Sequence, residues 1–396
     1  MKTSFRVLTC VAVFLFVATS AFATNGMRMI GFGPVQRSMG GIGVVSAFDA
    51  ASVITNPAGI ADLKGRIDFG ASYFSPTVEH KGTGAFTAQN ATVKSDRGAS
   101  PVPAFGLVIP LSDKLNFGIG AYGISGMGVD YKNNAYMSIL STSYSQMRFA
   151  PGLSYKINEM IAVGAVVNVM YATMEFSAAT SMGQEAHMNA ASFGYGATLG
   201  LTIKPVEMAT IGISYETKSN FQDFEFNTNA GKDKLAFDQP QSITGGVAFV
   251  PVKDLTIAFE VQWIQWSDTN GKNLPKFSEN NSNANPWNLN WDDQIVYKVG
   301  AQYAINPMFT VRAGFNYGKM PLDKTRAFEN IAFPAVSEYH YTAGFGIAFN
   351  NNLTLNVGGM YSPEASLKGS NALQGIASYE TKMSQYSLDM GIAYMF

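Results

Sequence analysis

The last thirteen residues, SQYSLDMGIAYMF, restrict the fold more than any other stretch of the chain. Tyr386, Leu388, Met390, Ile392, Tyr394 and Phe396 alternate with Gln385, Ser387, Asp389, Gly391, Ala393 and Met395. A period of two means a strand with two unlike faces. The apolar stripe carries aromatics near both ends, as expected of a strand whose outer side meets lipid and whose inner side meets water.

The same alternation recurs after residue 66, as in LTIAFEVQW (255–263), FTVRAGFNY (309–317) and EYHYTAGFGIAF (338–349). Segments of this kind begin near Ile67, Ala99, Leu115, Thr142, Ile161, Phe193, Ala209, Asp238, Leu255, Gln294, Phe309, Ser337, Leu353 and Met383. Their connections alternate in length. Tight links fall at 111–114, 157–159, 205–207, 252–254, 306–307 and 350–352. Longer polar links fall at 80–98, 132–141, 180–192, 227–237, 269–293, 323–336 and 368–381. An even strand number with short turns on one side and long loops on the other is the pattern of an outer-membrane barrel. The expected fold is therefore all-β, a 14-stranded antiparallel transmembrane barrel with both termini periplasmic. A water-soluble sandwich is the alternative, but the second face of these strands is Gly, Ser, Thr and Asn rather than Lys and Glu, and the strands exceed the usual five or six residues.

Composition agrees: 47% of residues are hydrophobic but only 14% charged, against roughly 25% in globular proteins. A net charge of -1 offers no basic surface for nucleic acid. The start, MKTSFRVLTCVAVFLFVATSAFA, has Lys2 and Arg6 ahead of an apolar run and ends on Ala21-Phe22-Ala23. It reads as a signal peptide over residues 1–23, and its loss would remove Cys10, the one cysteine. No later run approaches the length of a membrane helix.

Residues 24–65 do not alternate. They are too apolar for a solvated linker, and a 14-stranded barrel is wider than the eight-stranded size that side chains fill unaided. A compact plug over 24–65 inside a barrel of residues 66–396 meets both conditions. A short helix is expected around Ala47–Ser52 and a break at Asn56-Pro57. The stretch GPVQRSMGGIGVVSAFDAASVITNPAGIADL (33–63) resembles the N-terminal hatch of the FadL family, outer-membrane transporters of long-chain fatty acids and other hydrophobic compounds, including toluene and xylene porins. Asn56, Pro57 and Ala58 match the family's Asn-Pro-Ala stretch, and Gly40, Gly41 and Gly43 match its glycine-rich run.

The resemblance implies passive uptake: capture at the outer loops, binding in the lumen, and lateral release where the third strand bends inward against the hatch. Here Gly123, Gly126 and Gly128 break the pattern of LNFGIGAYGISGMGVDY (115–131), and interior glycines mark bulges. The alternative is that they are ordinary barrel-interior glycines. Among lumen-facing Glu260, Lys298, Arg312 and Asp389, Arg312 is the first candidate for a ligand carboxylate because of its planar fork, with Lys298 second. A salt-bridged network bracing wall to hatch is the competing role. Phe396 is similar to the terminal signal read by the barrel-insertion machinery. Long-chain fatty acids are the favoured ligand; aromatic hydrocarbons, or a structural or adhesive barrel without transport, are the alternatives. Neither enzyme activity, cofactor nor metal is expected: no Gly-x-Ser-x-Gly elbow occurs, and His80 and His187 fall in loops and His340 in the lumen, far apart in sequence. The expected setting is a monomer among the lipid and lipopolysaccharide of a Gram-negative outer membrane.

Overall fold

A computed structural model of the chain describes residues 25–45, 47–84, 92–133, 139–179, 185–228, 231–277, 288–371 and 376–396. The expected leader, 1–23, and residues 278–287 of the fifth long loop lie outside them. Fourteen strands form the wall: β1 (Arg66–Gly84), β2 (Ser100–Pro110), β3 (Leu115–Asp130), β4 (Ile139–Lys156), β5 (Ile161–Ala179), β6 (Glu185–Val206), β7 (Ala209–Glu216), β8 (Ser242–Val252), β9 (Leu255–Ile264), β10 (Gln294–Ala304), β11 (Phe309–Gly318), β12 (Tyr339–Ala348), β13 (Leu353–Asn371) and β14 (Ile376–Met395). Each pairs antiparallel with its sequence neighbour. β1 then pairs with β14 from Arg66↔Met395 to Gly84↔Ile376 and closes the barrel, so no edge is left over that span.

The terminal stripe faces outward: Leu388, Met390 and Ile392 are 52%, 53% and 53% exposed, while Ser387 and Asp389 on the other face are 5% and 0% exposed. Exposed Tyr155, Tyr303, Phe349 and Tyr394 lie towards the short-turn end, and Tyr73, Tyr297, Tyr341 and Tyr361 towards the long-loop end. These two belts bracket an apolar band, the arrangement of aromatic side chains at both membrane interfaces.

Three long links are shorter than expected. β4 starts at Ile139, β6 at Glu185 and β14 at Ile376, leaving 131–138, 180–184 and 372–375. Polar residues continue the ladders past the apolar band, as in the Lys382–Glu364 pair between β14 and β13, because a charged cross-strand pair also favours pairing. The longer links build structure of their own. Phe224–Thr228, Gly231–Ala236 and Lys276–Phe277 form a three-stranded sheet, packed on buried Tyr144, Phe237, Trp266, Trp291 and Phe333.

Residues 25–45 and 47–65 sit in the lumen towards the short-turn end. They carry helix α1 (Gly33–Ser38), helix α2 (Ser52–Thr55) and a 3-10 turn over Pro57–Asp62. The expected Ala47–Ser52 helix is displaced: the helical turn begins at Ser52, while α1 starts earlier with Pro34 in its first turn, where proline's missing N–H costs nothing. Wall glycines let this segment approach. A Cβ at Gly118 would lie 2.7 Å from Val53 and Ile60, at Gly212 2.2 Å from the Val44 carbonyl oxygen, and at Gly314 2.1 Å from the Gly40 nitrogen.

Candidate functional site

Towards β9–β14 this lumen segment is held by polar bonds. The amides of Gly43, Val44 and Val45 all donate to Glu260 Oε1, at 3.0, 2.6 and 3.1 Å. Successive backbone N–H groups aimed at one oxygen make an anion nest, here occupied by a wall carboxylate. Lys298 Nζ stands 3.7 Å from Glu260 Oε2 and donates to the Gly41 carbonyl at 3.3 Å. Arg37 on α1 meets Asp389 at 3.2 Å and donates to Ser72 and Ser387. Gly40 donates to Thr342 Oγ1 and accepts from Asn316 Nδ2. Asn56 donates through Nδ2 to the Val44 and Leu201 carbonyls, at 2.7 and 3.2 Å, and accepts from the Ala58 amide at 3.1 Å.

A second charged group lies above the hatch. Arg28, from the tail preceding α1, and Arg148 of β4 both bond the same carboxylate, Glu216 of β7. Arg28 also donates to Ser242 at 3.2 Å. A cavity of about 50 Å³ is lined by Arg28, Glu216 and Lys298 together with apolar Met29, Ile30, Phe32, Val44 and Ile54. Arg28, Arg148 and Lys298 face Glu216 and Glu260, so three cations meet two carboxylates.

The wall changes character at β3. Its pairing with β2 runs from Pro110↔Asn116 to Ala104↔Tyr122 and goes no further. Among the wall strands of the described residues, Ser100–Pro103 pair with β1 alone and Gly123–Asp130 with β4 alone, where the register slips between Gly123 and Ser125. Alternation of burial is lost from Gly120 to Val129, all buried. Instead of β2, this bulge takes the hatch tail as partner. Met29 N donates to the Ile124 carbonyl at 3.0 Å, while Met27 O accepts from Gly126 N at 3.2 Å and from Ser125 Oγ at 2.7 Å. Pro101 and Pro103, with no N–H to offer, border the break on the β2 side. Behind it Met29, Ile30, Phe74 and Val102 form a small apolar cluster.

The profile of the outer membrane protein transport family (OMPP1/FadL/TodX) matches residues 9–396. The chain belongs to this family. The long-chain fatty acid transport protein of Escherichia coli O6:H1 is 21% identical over 412 residues, covering 91% of this chain and 90% of that protein. Outer membrane protein P1 of Haemophilus influenzae is 22% identical, covering 88% and 89%. A Pseudomonas aeruginosa FadL homologue superposes with a TM-score of 0.77 at 17% identity, covering 96% of this chain and 100% of that one. The P. putida toluene transporter TodX does so with 0.74 at 18%, covering 93% and 99%. At such identities the superpositions speak for the fold.

In this FadL-family chain, Gly40, Gly41 and Gly43 lie against β9–β12, and Asn56, Pro57 and Ala58 against β5 and β6. Gly123, Gly126 and Gly128 all fall on the β3 segment that has left β2. Lys298 lines the charged cavity. Arg312 does not: it sits towards the short-turn end, donating to Gln302 at 2.6 Å and Asn356 at 3.1 Å. Phe396 is 60% exposed, and its amide donates to the Gly65 carbonyl at 2.9 Å. Two histidine placements are corrected. His80 is a buried residue of β1 in ring contact with Tyr131 and Tyr379, and His187 is an exposed residue of β6. His340 is buried on β12. Arg28, Arg148 and Glu216 carry no mark in the sequence, because their meeting joins positions 28, 148 and 216 across the lumen. The odd feature was an acidic residue closing an otherwise apolar and small β7.

Proposed function

We propose that the protein carries hydrophobic molecules passively across the outer membrane, with long-chain fatty acids as its ligands. The observation that carries this reading is a buried group of cations and carboxylates, Arg28, Arg148 and Lys298 with Glu216 and Glu260, at a lumen cavity that lies behind a break in the wall. A carboxylate is costly in apolar surroundings unless it meets a cation, and Arg28 and Lys298 on the cavity lining offer one. The short turns and both termini face the periplasm in this reading, and residues 25–65 act as the hatch. The cavity of about 50 Å³ has no space for an acyl chain, since small-molecule sites run to roughly 300–1,000 Å³. Entry of the chain therefore displaces the tail over Met27–Phe32, which uncovers the Gly123–Gly128 segment and lets the ligand leave sideways between β2 and β3. A channel with no energy source can work this way, because the ligand gains apolar surroundings at each step.

Cells carrying Lys298→Met, compared with the native chain, test the headgroup assignment through uptake of a long-chain fatty acid and of its methyl ester. Loss confined to the acid supports carboxylate recognition. Equal uptake of both by both proteins, with competition by toluene, would instead assign a neutral hydrocarbon as ligand.

A further inference from the structure

The lipid-facing side of the wall next to the break is not smooth. A cavity of about 320 Å³ opens there, walled by Phe149, Tyr171 and Phe193 with Ala121, Met147 and Val169 beneath. Phe149 and Phe193 are 45% and 46% exposed, and the Tyr171 and Phe193 rings stand 5.2 Å apart. Its volume reaches the scale of small-molecule sites, roughly 300 Å³, and its lining is apolar apart from Arg148. Facing hydrocarbon, such a hollow is neither hydrated nor left empty.

Its position links it to the lumen. Ala121 belongs to the penultimate β2–β3 pair, Phe105↔Ala121, before the two strands part. One step on, a Cβ at Gly123 would lie 2.5 Å from Val102 Cγ1, in the cluster behind the break, and 3.7 Å from Met147 Sδ, in the outer hollow. Gly123 is thus the thin point between an inner and an outer apolar surface. Above the hollow, towards the long loops, a second cavity of about 240 Å³ is lined by Arg97, Ser145, Thr173 and Glu175 among others. Hydrophobic below and hydrogen-bonding above is the order in which an outer-leaflet amphiphile stands.

We infer that this outer groove is an acceptor site for the released ligand: a fatty acid passing Gly123 lays its acyl chain against Phe149, Tyr171 and Phe193 with its carboxyl end towards the polar cavity. The inference rests on the transport reading above and adds a membrane-side station to it. Such a station shortens the step through the wall, because the chain exchanges one apolar contact surface for another without crossing water.

The test uses the full-length protein in proteoliposomes with a diazirine-bearing long-chain fatty acid supplied from the long-loop side, followed by peptide mapping after illumination. Labelling of peptides holding Phe149, Tyr171 and Phe193 is expected to exceed that of the equally lipid-exposed Leu388–Ile392 stripe by about tenfold, a preference of about 1.4 kcal/mol. Gly123→Val is expected to remove the excess, with Gly123→Ala as a milder companion should valine impair assembly. Val169→Trp, which fills the groove from the lipid side, is expected to lower labelling and slow release while lumen-bound probe is retained. Equal labelling of groove and control stripe overturns the inference, and so does an excess that persists when Gly123 is blocked, since the groove then fills from the bilayer. If the native chain fails to take up fatty acid while binding and labelling are normal, the transport reading itself falls, and the two failures are thereby told apart.

Discussion

The hatch meets the barrel through two unlike interfaces. Towards β9–β14 it is tied by directed bonds: the nest on Glu260, the Arg37–Asp389 pair, and the Gly40 contacts with Thr342 and Asn316. Towards β2–β5, apart from Asn116 bonding the Ile60 and Leu63 carbonyls at its foot and the bonds of Met27 and Met29 to the β3 bulge, it presents Val53, Ile54 and Ile60 to a shared apolar core with Val108, Ala150 and Val166. Directed buried bonds fix one position and are lost abruptly if it shifts, whereas apolar contact is non-directional and tolerates sliding. The wall break lies on the apolar side. The difference teaches that the two sides should respond differently to substitution: directed bonds hold one, and mainly apolar contact holds the side that carries the wall break.

The largest effect expected is from breaking the anchor. Glu260→Ala deletes the acceptor of three amides and leaves Lys298 buried without its counter-charge, a loss of about 3–5 kcal/mol for one partner of a buried pair. The hatch should then come away from the wall, and conductance in planar bilayers should rise; Glu260→Gln, which keeps a neutral acceptor, should fall between. Unchanged conductance in the alanine variant would mean that the nest is not what holds the hatch.

Cutting into the apolar side should have a smaller and different consequence. Ile54→Ala, at a 2% exposed position, should cost about 2–4 kcal/mol as a buried large-to-small change. Because the polar anchors survive, hydrogen exchange should quicken at α2 and the tail, with little rise in ion conductance. A leak as large as that of Glu260→Ala would erase the proposed distinction between the two sides.

Asn56 tests a third, intermediate attachment. Its alanine variant leaves the Val44 and Leu201 carbonyls without their donor, at about 1–3 kcal/mol for unsatisfied buried groups. Protease sensitivity of the Pro57–Asp62 turn should increase, and Asn56→Asp, which keeps only the acceptor to Ala58, should not restore it.

The barrel was legible because its physics is local. Period-two patterning placed the starts of β3, β5, β7, β9, β10, β11 and β13 at the residues where they occur, and the C-terminal stripe announced its lipid side. Where legibility ended, the cause was non-local. His80 was expected in a loop because its neighbourhood is polar, yet cross-strand pairing with Thr381 extends β1 past it. The nest on Glu260 uses backbone amides of Gly43, Val44 and Val45, which have no side-chain signature. Arg312 is the first choice among Glu260, Lys298, Arg312 and Asp389 for its planar fork alone; what keeps it from the charged cavity is its height in the barrel, which composition does not encode.

The smallest effect expected concerns pH and the foot of the hatch, between the two interfaces. Asp49 is buried just ahead of α2, accepting from the Ala51 amide at 3.1 Å and from Gln36 Nε2 at 3.4 Å. Burial first, and the neighbouring Asp68 second, push its carboxyl up to about 7, while Arg66, the Ala51 amide and Arg312 pull the other way. Tyr122 is the further titratable group that faces it, from β3. With the docked value above the ordinary one of 3.8, the docked hatch keeps a proton that the released hatch gives up. Docking is thus favoured at low pH, weakens as pH rises from about 4 to about 7, and levels off above that. Between pH 6 and pH 7 the loss is at most about 1.4 kcal/mol. Hydrogen exchange of the Ser52–Thr55 amides, corrected for intrinsic rates, should show this slope, and Asp49→Asn should flatten it while leaving the Glu260 anchor untouched. A slope that survives in Asp49→Asn would move the pH dependence to another group and leave the foot of the hatch as rigid as its anchored side.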